Sequence, residues 1–107
     1  MTTFEDREKG FETKFARDQE LAFRIAARRN RLLGAWAAEK LGLTVEEADA
    51  YSKAVVQADF EEAGDEDVIR KVFGDLTAAG VEVSEQEVRR ALEERNVEAR
   101  RQLMEAK

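Results

Sequence analysis

An all-α fold, a four-helix bundle with a mobile amino-terminal arm, is the class predicted by three observations in this chain of 107 residues. Proline is absent, so no segment carries the residue that removes a helical N–H and clashes with the turn before it. Apolar side chains recur at spacings of three and four in four separate stretches, which places them on one face of a helix with 3.6 residues per turn. Between those stretches stand glycines and capping boxes, the sequence signs of one helix stopping and the next starting. A chain of this length closes one hydrophobic core with little margin, so one domain is expected.

The first element is the arm, residues 1–17, ahead of a four-helix domain at residues 18–107. Acids and bases alternate along it, Gly10 sits mid-segment, and Phe4, Phe11 and Phe15 are its large apolar groups. On a helix those three rings fall within a narrow arc of one face. A stripe that sparse is too little to hold a helix alone. Thr3 with Asp6 nevertheless resembles a weak capping box, so the segment turns helical once a partner supplies a groove, losing part of the interaction energy to ordering. The plainer alternative is that the rings fold back and extend the bundle core. Against it stands the concentration of half of the chain's six phenylalanines in a segment whose other residues are mostly charged.

The first bundle helix is predicted over Asp18–Leu41, with Ala22, Ile25, Ala26, Leu33, Trp36, Ala37 and Leu41 inward and Gly42 as its stop. Thr44 and Glu47 form a capping box that opens a second helix over about Val45–Glu62, burying Ala48, Tyr51, Val55 and Ala58, with Phe60 near its end. Gly64 and Asp65 break and restart the chain, with Asp65 as N-cap and Glu66 and Asp67 in the first turn, where the helix dipole favours negative charge. Val68, Ile69, Val72, Phe73, Leu76 and Ala79 make the third stripe, which stops at Gly80. Ser84 and Glu87 form a second box, opening a fourth helix that runs to the carboxyl end with Val88, Ala91, Leu92, Ala99 and Leu103 inward. Pairs such as Glu85 and Arg89 mark its outer face as solvated.

Composition narrows the function classes. No cysteine and no histidine removes the thiolate and imidazole ligands of zinc and the base of the familiar catalytic triads. No metal site, cofactor or catalytic residue is expected, and no GxSxG, HExxH or Walker-type motif is present. A net charge of -6 argues against nucleic acid as a partner, since phosphate binding rests on Lys and Arg. The longest uncharged run around Trp36, Leu32 to Ala38, falls far short of the roughly 20 apolar residues of a membrane span. No direct membrane insertion is expected, and a cytoplasmic location is.

The charge is uneven. Arg24, Arg28, Arg29 and Arg31 stand together without an acid, while Asp59, Glu61, Glu62, Asp65, Glu66 and Asp67 stand together without a base. The arginines are either a docking or anion-binding patch for an acidic partner or a solvated face paired with the acidic block; the sequence leaves both open. Asp59, Glu61 and Gly64 fit positions 1, 3 and 6 of a calcium loop, but Ala63 and Arg70 occupy positions 5 and 12, where ligands are required. Trp36 is read as a core residue. What remains is a binding protein, with a module for adenine nucleotide built on the arginines and the Trp36 helix, or a scaffold for some other acidic protein, as the competing readings.

Three segments carry a resemblance: the arm TTFEDREKGFETKFARDQE, RRNRLLGAWAAEKLGL at Arg28 to Leu43, and VVQADFEEAGDEDVIRKV at Val55 to Val72. Together they resemble the zeta subunit family of alphaproteobacterial F-type ATP synthase inhibitors, small four-helix proteins. The resemblance implies an inhibitor of ATP hydrolysis, peripheral to the inner membrane through the synthase, whose partners are the alpha, beta and gamma subunits of the catalytic head. It implies that the arm enters an alpha/beta interface beside the rotor as a helix and blocks hydrolytic rotation while the bundle anchors it outside. Carried over to this chain, Phe4, Phe11 and Phe15 would fill apolar hollows, and Arg7, Lys9, Lys14 and Arg17 would pair with acids of the head.

Overall fold

The computed structural model describes residues 3–60 and 64–105, with side chains from Gln19 onward. Four helices follow in order: α1 Thr3–Leu41, α2 Val45–Ala58, α3 Glu66–Ala78 and α4 Glu85–Glu105. The all-α four-helix class is therefore observed, and no strand occurs among the described residues. α1, at 39 residues, spans about 58 Å at 1.5 Å per residue and sets the 65 Å long axis of the molecule. It packs against each of the other three helices, whereas α2 and α4 do not approach one another. The bundle is thus organised around α1, with α3 bridging α2 and α4.

Local chemistry sets the ends. Gly42 and Gly80 take positive φ of 70° and 81°, open to glycine without a Cβ penalty. Each permits the same closure. Leu43 N–H reaches Ala38 O at 3.1 Å, and Val81 N–H reaches Leu76 O at 3.0 Å, satisfying carbonyls that the helix leaves unpaired. At the start of α2, Thr44 N–H donates to Glu47 Oε1 at 2.9 Å and Glu47 N–H donates to Thr44 Oγ1 at 3.2 Å, a complete capping box. At α4 the box is half made: Glu87 N–H donates to Ser84 Oγ at 3.1 Å, while the Glu87 carboxylate meets the serine hydroxyl.

Three helix ends differ from expectation, the first being that α1 begins at Thr3 and runs unbroken to Leu41, where the sequence predicts a helix starting at Asp18. α2 ends at Ala58 with Asp59 as its C-cap, short of Glu62; residues 61–63 lie outside the described ones. Asp65 occupies the N-cap position of α3, but its side chain caps nothing. It turns instead to Arg29, 3.0 Å away on α1, because a charged partner offers a stronger bond than a backbone N–H.

The core joins the predicted stripes: Leu33, Ala37, Val55, Val68, Val72, Leu76 and Val88 are fully buried, with Trp36, Tyr51 and Phe73 packed at its edge. Ala22 and Ala79 are exposed and Phe60 is 62% exposed, so the stripes fade at the ends of the bundle, where no facing helix covers them. Burial of polar groups is the larger surprise, with Asn30, Ser52 and Asp67 all inside.

A polar clasp ties α2 to α3. Tyr51 Oη donates to Asp75 Oδ2 at 2.8 Å, and Lys71 reaches the same oxygen at 3.2 Å while lying 5.2 Å over the Tyr51 ring. Burial first, then the bond to this carboxylate, raises the Tyr51 phenol well above its ordinary value. Tyr51→Phe keeps the ring and removes the bond. It is expected to lower the unfolding free energy by about 1 kcal/mol, read from urea titrations, and an unchanged midpoint would dismiss the clasp as ornamental.

Three surface glutamates, Glu98 among them half-buried, titrate below the usual carboxylate value of 4.5: Glu47 through the Thr44 backbone N–H and hydroxyl, Glu66 through the paired bonds from Arg89, and Glu98 through Arg101 and Gln102. A lowered folded value means that the folded chain holds fewer protons, so this stabilisation is present above 4.5 and is lost as pH falls below it. Thermal melts at pH 7 and pH 3 should show the loss, and Glu66→Gln should flatten the dependence. A variant with the same acid sensitivity as the parent would count against this assignment.

Candidate functional site

The seven arm residues singled out from the sequence, Phe4, Arg7, Lys9, Phe11, Lys14, Phe15 and Arg17, belong to α1 by backbone; their side chains lie outside the described ones. The four arginines clustered at residues 24–31, by contrast, can be placed atom by atom. The helix divides them. Arg24, Arg28 and Arg31, at i, i+4 and i+7, lie in solvent on one side of α1. Arg24 pairs with Glu20 at 2.7 Å, Arg28 Nη1 donates to the neutral amide oxygen of Gln102 at 2.8 Å, and Arg31 meets Asp49 at 3.3 Å.

Arg29 points the other way. It is 8% exposed, with Asp65 at 3.0 Å, Asp59 at 3.6 Å and Asn30 Oδ1 accepting from Nε at 3.1 Å. Its two carboxylates come from the acidic block, so for this one arginine the pairing of basic and acidic blocks is what the structure displays. Glu66 and Asp67 of that block are also engaged. Arg89 forks onto both oxygens of Glu66 at 2.9 Å each, and Asp67 Oδ1 accepts from Arg70 at 3.2 Å. Glu61 and Glu62 lie outside the described residues. Trp36 is half-buried against the core with Lys40 Nζ 5.0 Å over its ring.

Sequence reasoning passed over Phe23. Its ring is 55% exposed and packs on Phe60 with centroids 5.5 Å apart, inclined at 39°. A signal was present: Phe23, Ala27 and Arg31 recur every four residues and so form one row along α1, separate from the row that enters the core.

These features define a small all-α protein whose charged and aromatic residues are gathered on and around one long helix, with no helix among the described residues long and apolar enough to cross a membrane. The family model of ATPase inhibitor subunit zeta matches residues 1–102, and the chain belongs to that family. Its role is accordingly that of an inhibitory subunit. A solution NMR structure of a protein 52% identical in sequence superimposes with a TM-score of 0.69, covering 78% of this chain and 94% of the other. No curated protein matches the chain.

Proposed function

We propose that this protein inhibits ATP hydrolysis by the catalytic head of the F-type ATP synthase, with residues 1–17 entering an alpha/beta interface as a helix beside the gamma rotor and blocking hydrolytic rotation. The observation that carries the reading is the extent of the family match, which begins at residue 1 and so takes in the arm as well as the bundle. Two further points support it. The backbone of α1 runs from Thr3 to Leu41 without a break, so whatever engages the front of that helix is joined directly to the bundle. The arm also alternates charges around three phenylalanines, a pattern suited to apolar hollows with charged rims.

In this reading Phe4, Phe11 and Phe15 supply apolar contact area, Arg7, Lys9, Lys14 and Arg17 meet acids of the head, and the bundle stays outside, peripheral to the membrane on the cytoplasmic side. Adding the purified chain to isolated head complexes should lower the ATP hydrolysis rate to a saturable floor. An unchanged rate at saturating protein sinks the proposal.

A further inference from the structure

Among the described residues Phe23 and Phe60 are the aromatic side chains that the bundle leaves most open to solvent, at 55% and 62%. Their ring centroids stand 5.5 Å apart, with the rings inclined at 39°. Beside them lies a surface hollow of about 410 Å³ lined by Ala27, Val56 and Phe60, with Arg31 and Lys53 on its rim. Two neighbouring exposed rings over an apolar floor form the kind of patch that on a small protein marks an interaction surface, and aromatic residues with arginine are the types enriched at interface centres.

Charge and position say what covers it. Arg31 and Lys53 share a single carboxylate, that of Asp49, at 3.3 and 3.1 Å. Among the described side chains that line the hollow two cations face one anion, so this lining is positive on a chain whose net charge is -6. A second copy of this chain would bring a like-charged rim against the first, which disfavours self-pairing. A partner with an apolar hollow edged by carboxylates fits. Phe23 also lies six positions past Arg17, the last arm residue, about 9 Å along a helix rising 1.5 Å per residue. A surface that takes in the arm up to Arg17 therefore ends less than two helical turns before Phe23.

From this juxtaposition we infer that the Phe23 and Phe60 patch, with Arg31 and Lys53, is the bundle's docking face on the outer surface of the protein that receives the arm. The inference rests on the arm-insertion reading above and adds the surface that holds the bundle in place.

The test uses full-length chains carrying Phe23→Ser, Phe60→Ser, both together, or Lys53→Glu. Each is titrated into isolated head complexes with ATP hydrolysis as one readout and cosedimentation with the head as another. The double serine variant should raise the half-inhibiting concentration about tenfold or more, the scale of losing an interface hot spot, with Lys53→Glu shifting it the same way. Its melting temperature should stay near that of the parent, because neither ring is in the core, and Phe60→Trp should retain inhibition. If the parent inhibits and the double variant does so at the same concentration, the docking face is overturned while arm insertion stands. The docking face is likewise overturned if the substitutions change only the self-association of the free chain. Should the parent not inhibit at all, the functional reading falls, and cosedimentation of parent against double variant still decides the docking face.

Discussion

A chain lacking residues 1–17 is expected to leave ATP hydrolysis by the isolated head at its uninhibited rate while melting within a few degrees of the full-length protein. The two halves of this expectation rest on different links. Stability should survive because the buried part of α1 among its described side chains begins at Arg29 and Asn30, and every member of the core cluster lies at Leu33 or beyond. A helical extension with one sparse apolar stripe and a central glycine adds little, since Gly costs about 1 kcal/mol relative to Ala in a helix and short helices are marginal on their own. Function should be lost because burying a phenylalanine is worth about 1.5–3 kcal/mol. Three such rings outweigh the 2–5 kcal/mol or so of ordering that a segment loses when it folds on binding, whereas the truncated chain keeps none of them. If the shortened chain inhibits as fully as the parent, the obstructing element lies in the bundle.

Gly34→Ala should be the most damaging small substitution in the bundle. A Cβ built at Gly34 would stand 2.6 Å from Ser52 Cα and 2.9 Å from Ser52 Oγ, so the backbones of α1 and α2 meet there with no room for a methyl group. Two effects compete. Alanine is the better helix former by about 1 kcal/mol, but forcing extra volume into a packed contact costs about 1–3 kcal/mol. The obstacle here is main chain, which cannot rotate aside, so the upper figure applies and the net loss is about 2 kcal/mol. That corresponds to a fall of roughly 10 °C in melting temperature for a domain of this size. Circular dichroism melts measure it, and a Gly34→Ala chain as stable as the parent would mean that the two helices do not approach so closely.

Much of this architecture could be read from local signals. Gly42 and Gly80 stop helices because glycine opens the left-handed conformation, and Thr44 with Glu47 starts one because two side-chain oxygens meet two unpaired N–H groups; each operates within a few residues. Features that depend on a distant partner were not legible. Asp65 has the right type and position for an N-cap, yet Arg29 from another helix takes its carboxylate. Ser52 is buried because Gly34 lets α1 approach it, and a glycine inside a helix gives no sign of which neighbour needs the space. The arginine cluster looked like one object in sequence, but a turn of 100° per residue sends Arg29 inward and leaves Arg24, Arg28 and Arg31 outside. Phe23 escaped notice because it belongs neither to the arm nor to the core stripe.

Arg29 has a practical consequence. By reaching both Asp59 and Asp65 it clamps the two feet of the connection that carries residues 61–63, so the length of chain between the feet is free to change at small cost. Closing a loop of doubled length adds only about 0.6 kcal/mol. This connection is therefore the place where a fluorophore or a short peptide tag is expected to cost the bundle little stability, which a thermal melt of the tagged chain would check. Because it begins directly after Phe60, such a reporter would sit at the edge of the proposed docking face and register arrival at the head by a change in its own solvent exposure.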